Sequence, residues 1–112
     1  MLNQEINTGL KIFEIEKIHS ILKLHPEVEE AIIYGSRAKG NFKPYSDIDL
    51  TLIGSNLTLT IQQKIENELD DLLLPYKFDF SIYDHIHNQD LKNHIDRVGK
   101  IFFKLQPATN RL

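Results

Sequence analysis

The chain has 112 residues, and its 13 basic and 16 acidic side chains give a formal net charge of −3. This length suits one domain, so we expect a single domain over residues 1–112 with its core at about 10–103. The chain has no cysteine, which excludes disulfides and thiolate metal sites. It also lacks an apolar run of about 18 residues, a secretory signal pattern and a long basic tract. We therefore expect a cytoplasmic protein with no membrane contact and no direct nucleic-acid binding.

Hydrophobic spacing predicts a helix and then a buried strand in the first third of the chain. Apolar residues recur at helical spacing between residues 10 and 24, and Pro26 ends this pattern. A continuous apolar run then predicts a strand at 30–34 that is buried on both sides. Gly35–Ser36 follows at once and indicates a turn directly after the strand.

The rest of the chain alternates between the same two periodicities. They predict a strand at 47–53, a helix from Thr60 to Leu73 with Thr60 as its cap, a strand at 77–83, a helix at 88–98 and a short strand at 101–103. The order indicates an α+β (α/β) domain, in which a small mixed sheet of three to four strands carries helices mainly on one face. So small a sheet leaves apolar surface uncovered, and we expect a homo- or hetero-oligomer.

The turn after the first strand has the chemistry of a phosphate site. Backbone N–H groups of Gly35–Ser36, at the start of a helix, are suited to bind phosphate oxygens. Arg37 and Lys39 follow and are candidates to add positive charge at this turn. The alternative for both residues is a solvated helix surface, and the sequence leaves the two interpretations open.

Three aspartates provide candidate metal ligands. Asp47 and Asp49 lie two residues apart on a predicted strand, so their side chains project from one face. Asp79 falls on the polar face of another predicted strand, and it joins the first two if the strands are neighbours. Three adjacent carboxylates repel one another without a cation, so the cluster indicates Mg²⁺. Beside a phosphate turn, it predicts metal-dependent nucleotidyl transfer from a nucleoside triphosphate.

These features form one combined pattern along the chain: an apolar strand, Gly35–Ser36, a ten-residue spacer, Asp47 and Asp49, and finally Asp79. In this pattern the chain resembles the minimal nucleotidyltransferase family of the DNA polymerase β-like superfamily. The resemblance implies that Gly35 and Ser36 bind the β- and γ-phosphates of ATP or another triphosphate. It also implies that Asp47 and Asp49 ligate two Mg²⁺ ions, and that Asp79 completes one metal site and assists deprotonation of the attacking hydroxyl.

The resemblance further implies a role in a toxin–antitoxin system. Minimal nucleotidyltransferases accompany a small HEPN-family protein, and they are associated with transfer of AMP from ATP to a tyrosine of that toxin. The expected activity is therefore that of a protein adenylyltransferase acting as an antitoxin. Two alternatives stay open from the sequence: a small-molecule nucleotidyltransferase of the aminoglycoside-modifying type, and a non-catalytic subunit that neutralises its partner by contact.

Overall fold

The computed structural model describes residues 7–106, and four strands in this part of the chain form one mixed sheet. The strands are β1 (Glu30–Tyr34), β2 (Ile48–Ile53), β3 (Phe78–Ile82) and β4 (Lys100–Lys104). Their order in the sheet is β3–β2–β1–β4. β1 is antiparallel to both β2 and β4, whereas β2 and β3 are parallel.

Helix α1 (Ile12–Lys23) precedes β1, and three helices connect the strands: the single turn α2 (Ser36–Lys39), α3 (Leu59–Asp70) and α4 (Gln89–Val98). A short 3₁₀ turn at Tyr83–His85 follows β3. The crossover through α3 explains why β2 and β3 are parallel, since parallel neighbours need a connection long enough to return to the same end of the sheet. The predicted α+β class with a small mixed sheet is confirmed.

The start of α3 differs from the sequence prediction. The helix is capped by Thr58, whose side-chain oxygen accepts a hydrogen bond of 3.2 Å from the Ile61 N–H. The predicted cap at Thr60 is therefore wrong, and the helix ends at Asp70 rather than at Leu73. Both threonines precede apolar residues at helical spacing, so local pattern alone does not distinguish them.

The hydrophobic core lies between one face of the sheet and the helices α1 and α3. Side chains that point to this face along β1 and β2 are fully buried, as are those that α1 and α3 turn toward them. The cluster includes Ile18, Leu22, Ala31, Ile33, Ile48, Leu50, Leu52, Ile65 and Leu69. Burial of this apolar area is the main stabilising contribution to the fold.

The helix α4 packs against the opposite face of β1. Ile32 alternates with the core residues of β1 and so points to this opposite face. Gly99, just after α4, lies close to it, because a Cβ on Gly99 would be 2.7 Å from the Cγ2 atom of Ile32. The ring of Tyr34 meets the ring of His94 from α4 edge-on, with 6.0 Å between centroids. α4 therefore covers β1 on this face, while the polar residues of β2 and β3 lie beside it.

No helix within residues 7–106 is long and apolar enough to cross a membrane.

Candidate active site

Two of the three predicted aspartates are direct neighbours across the parallel pair. Asp49 of β2 is the register partner of Asp79 of β3, so both side chains leave the same face of the sheet. Asp47 immediately precedes β2, which begins at Ile48. The sequence prediction that the three acids share one side of the sheet depended on these strands being neighbours, and they are.

The pKa of Asp49 reflects its burial and the acids around it. Burial raises the pKa of Asp49 to about 6, and the charges of Asp79 and Asp47 act in the same direction. Arg37 opposes this shift by favouring the ionised carboxylate. Burial and the two neighbouring acids thus both disfavour the charged form of Asp49.

Gly35 brings the turn into contact with this cluster. Its backbone has a φ of 71° and a ψ of −153°, a combination that is essentially restricted to glycine. A Cβ at this position would lie 2.2 Å from the Oδ2 atom of Asp49. The absence of a side chain therefore allows the turn to approach the carboxylate, and the turn and the acids form one site.

A layer of hydroxyl groups lies beside the carboxylates. Thr51 is fully buried, and its hydroxyl accepts a 2.9 Å hydrogen bond from the Ser81 hydroxyl across β2 and β3. Burial raises the pKa of Tyr34 to about 12, as do the charges of Asp79 and Asp49, while hydrogen bonding to Ser81 opposes the rise. The alternation that places Asp49 and Asp79 on one face also places Thr51 and Ser81 there, but their hydrogen bond depends on β2 and β3 being neighbours.

The placement of Arg37 contradicts the solvated-surface interpretation drawn from the sequence. Its side chain is only 1% exposed, although it belongs to the four-residue helix α2. The guanidinium donates to the backbone carbonyls of Thr8, Pro44 and Ser46 at 2.7–3.2 Å. A side chain placed in this way neither lies on a solvated helix surface nor is free to bind a phosphate.

Lys39 and Ser36 occupy the positions that the sequence suggested. Lys39 is exposed in the last turn of α2, so its ammonium group is accessible to an anion. Ser36 opens α2, where the first N–H groups of a helix have no acceptor within the helix. Their contact with phosphate remains a prediction.

The donor set fits Mg²⁺ in chemistry and charge. Within residues 7–106, no three His, Cys, Asp or Glu side chains converge closely enough to form a ready-made metal site. The candidate ligands are nevertheless all carboxylate oxygens, which Mg²⁺ prefers, and a bound cation would favour the ionised form of Asp49, which Asp79 and Asp47 disfavour. Asp49 and Asp79 are in register on adjacent strands, which places both candidate ligands on one face of the sheet.

A mixed sheet with paired acids on adjacent parallel strands, and a glycine turn against one of them, defines a nucleotidyltransferase fold and its candidate site. The family model described as "Polymerase beta, Nucleotidyltransferase" matches residues 16–108. The chain belongs to this family. The expectation drawn from Gly35–Ser36 and the aspartates, a nucleotidyltransferase of the polymerase β superfamily, is confirmed at this level.

Solved structures show the same fold. A chain of a toxin–antitoxin complex with AMP-PNP superposes with a TM-score of 0.66 at 20% identity, covering 82% of this chain and 74% of that one. A chain from tri-AMPylated Shewanella oneidensis HEPN toxin in complex with MNT antitoxin gives 0.62 at 17% identity, covering 83% and 71%. A candidate nucleotidyltransferase from Sulfolobus solfataricus gives 0.52 at 18% identity, covering 100% and 99%. No match is found among curated proteins.

Proposed function

We propose that the chain is a Mg²⁺-dependent adenylyltransferase that transfers AMP from ATP to a tyrosine hydroxyl of a HEPN-family partner and thereby acts as its antitoxin. The observation that carries the chemistry is the register pairing of Asp49 with Asp79, beside the Gly35 turn. Membership of the nucleotidyltransferase family supports the reaction type. The partner is proposed from solved complexes of this fold, one of which contains an AMPylated HEPN toxin with an MNT antitoxin.

In this proposal Asp47 and Asp49 would hold two Mg²⁺ ions, and Asp79 would complete one of the two metal sites. When bound, Mg²⁺ would lower the pKa of the attacking hydroxyl and neutralise charge on the phosphates. Backbone N–H groups around Gly35–Ser36 bind the β- and γ-phosphates, with Lys39 adding positive charge. These groups place the α-phosphorus in line with the acceptor, and positioning of this kind supplies much of the rate enhancement.

The reaction itself is a single displacement at phosphorus. The acceptor oxygen forms a bond to the α-phosphorus while the bond from that phosphorus to the bridging oxygen of the β-phosphate breaks. Asp79 accepts the proton of the acceptor hydroxyl, and pyrophosphate leaves with the electron pair. The turn at Gly35–Ser36 then stabilises the charge of the leaving pyrophosphate.

Transfer of label tests the proposal directly. The chain is incubated with Mg²⁺, ATP labelled at the α-phosphate and a HEPN protein encoded beside its own gene. We expect label on a tyrosine of the partner, loss of labelling with Asp49→Asn, and loss of the partner's toxicity only with the active enzyme. Complex formation without labelling would contradict adenylyl transfer. If Asp49→Asn also neutralised the toxin fully, neutralisation by contact alone would replace the proposal.

A further inference from the structure

Arg37 is a charged side chain in an unusual place. It is the largest fully buried side chain in residues 7–106, at 1% exposure, and it lies on a helix of only four residues. A guanidinium stays charged at any physiological pH. Removal of such a charge from water is costly unless its donors are satisfied. The contacts that satisfy Arg37 therefore indicate what its burial achieves.

Most of the donors of Arg37 reach one loop. Nε and Nη2 donate to the Ser46 carbonyl at 3.1 and 2.9 Å, and Nη2 also donates to the Pro44 carbonyl at 3.2 Å. Nη1 donates at 2.7 Å to the carbonyl of Thr8, in the segment before α1. The planar fork of the guanidinium thus binds the loop through Nε and Nη2 and the segment before α1 through Nη1.

Arg37 and its acceptor Ser46 each adjoin a different part of the candidate site, the Gly35–Ser36 turn and the aspartates. Arg37 directly follows Ser36 of the turn, and Ser46 directly precedes Asp47. One side chain therefore links the phosphate turn to the segment that begins the aspartate pair. No other hydrogen bond between side chains or backbone joins α2 to residues 43–47 in the described part of the chain.

Two aromatic rings fix the guanidinium itself. Its central carbon lies 5.3 Å from the ring centroid of Phe42 and 4.9 Å from that of Tyr76, distances at which cation–π attraction is effective. The Tyr76 hydroxyl donates at 2.9 Å to Glu14 of α1, which is buried. The loop is also closed on itself, because the Ser46 hydroxyl accepts from the Lys43 N–H at 2.8 Å.

We infer that Arg37 is a positioning residue, which holds the loop formed by residues 41–47 and so fixes Asp47 at a set distance from the Gly35–Ser36 turn. The consequence for metal binding rests on the proposed function, because Asp47 is a ligand only in that proposal. The claim about the loop rests on the contacts of Arg37 alone. Lysine does not reproduce this role, since a single ammonium group cannot form the bidentate contact with Ser46.

Amide hydrogen exchange and Mn²⁺ binding test the inference on Arg37→Lys in the full chain. We expect faster exchange confined to residues 41–48, with β1 and α3 as protected as in the wild type. We also expect Mn²⁺ affinity to fall by about 10- to 100-fold, the range typical of residues that orient metal ligands. Ile65→Val is the matched control, because it weakens the core on the opposite face of the sheet and leaves the loop contacts intact.

Phe42→Leu keeps the test available where Arg37→Lys does not fold, because it removes one ring from the guanidinium and buries no new charge. We expect the same local pattern at smaller amplitude. The inference would be overturned if the variant showed unchanged exchange in the loop, or faster exchange spread over the domain as in Ile65→Val. It would also be overturned if the wild type bound Mn²⁺ and the variant bound it with the same affinity. A wild-type chain that binds no Mn²⁺ would instead overturn the proposed function, and the exchange result alone would then decide the role of Arg37.

Discussion

Asp49 and Asp79 stand opposite each other on adjacent parallel strands, in register and on one face of the sheet. Neighbouring strands lie only about 4.7–4.9 Å apart, so two carboxylates at paired positions repel strongly when both are ionised. Burial raises the pKa of Asp49 to about 6, and repulsion by Asp79 and Asp47 adds to this rise. The same arrangement that is unfavourable in the free chain provides closely spaced oxygens for a cation.

Removal of either paired carboxylate should abolish transfer. We expect Asp49→Asn and Asp79→Asn each to lower kcat/KM by more than about 100-fold, because loss of a ligand should exceed the roughly 10- to 100-fold effect of residues that only orient ligands. Steady-state transfer of labelled AMP measures the effect. Asp70→Asn, an exposed position on α3, is the control for loss of one acidic charge, and activity close to wild type in either site variant would count against a metal role.

The close approach of Gly35 to Asp49 predicts a site-specific effect of a single methyl group. Gly35→Ala places an L-residue at a φ of 71° and a ψ of −153°, which costs about 1–3 kcal/mol from backbone strain alone. It also forces the Asp49 carboxylate to move, because the new Cβ meets Oδ2 at 2.2 Å. We expect lower stability in urea unfolding and loss of Mn²⁺ binding.

Gly40 provides the matched control for this strain. It has a φ of 90°, and a Cβ there meets no atom within 4 Å. Gly40→Ala should therefore cost about 1 kcal/mol of stability while Mn²⁺ binding is retained. Equal metal affinity in the two variants would show that the contact between turn and carboxylate has no role in the site.

Much of the site follows from local sequence, because alternation along a strand has a period of two. This period alone predicts that Asp49 and Asp79 lie on the polar faces of their strands. Their adjacency depends on the parallel crossover through α3, which the sequence left conditional. The local pattern was thus sufficient for the orientation of the side chains, and the topology was needed for their proximity.

The role of Arg37 was not predictable in the same way. Its partners Thr8 and Tyr76 are distant in the chain, and burial of a cation is decided by such non-local contacts. The sequence leaves added positive charge and a solvated helix surface open for Arg37, and the observed burial excludes the solvated surface. The cap of α3 is a smaller case, because Thr58 and Thr60 both suit the local pattern and the structure has Thr58 at the cap.

The metal-free protein should lose stability as the pH rises through about 6. The pKa of Asp49 rises from 3.8 to about 6 on folding, so the folded chain binds this proton more tightly than the unfolded chain does. The resulting stabilisation is complete below about pH 4 and is lost above about pH 6. Urea midpoints in chelator, compared between wild type and Asp49→Asn, isolate this contribution because other titrating groups are common to both.

Mg²⁺ should reverse this loss at neutral pH in the wild type only, since binding to the folded state stabilises it. A pH profile identical to that of Asp49→Asn would show that Asp49 does not lie among the other acids.

The hydrogen bond between Ser81 and Thr51, beside the carboxylates, should stabilise the folded protein. Ser81→Ala leaves the fully buried Thr51 hydroxyl without its 2.9 Å partner, and an unsatisfied buried hydroxyl costs about 1–3 kcal/mol. Urea unfolding measures the change. Thr51→Val combined with Ser81→Ala should recover part of the loss, because the orphaned group is then absent; a strictly additive double variant would show that the two hydroxyls do not interact.

The central claim is that Asp47, Asp49 and Asp79 bind divalent cations beside the Gly35–Ser36 turn. Mn²⁺ titration followed by electron paramagnetic resonance, with a non-hydrolysable ATP analogue present, tests it most directly. We predict about two bound ions per wild-type chain, with binding strongly reduced in Asp49→Asn and in Asp79→Asn and preserved in Asp70→Asn. Equal Mn²⁺ binding by the wild type and both site variants would contradict the assignment of these aspartates as metal ligands.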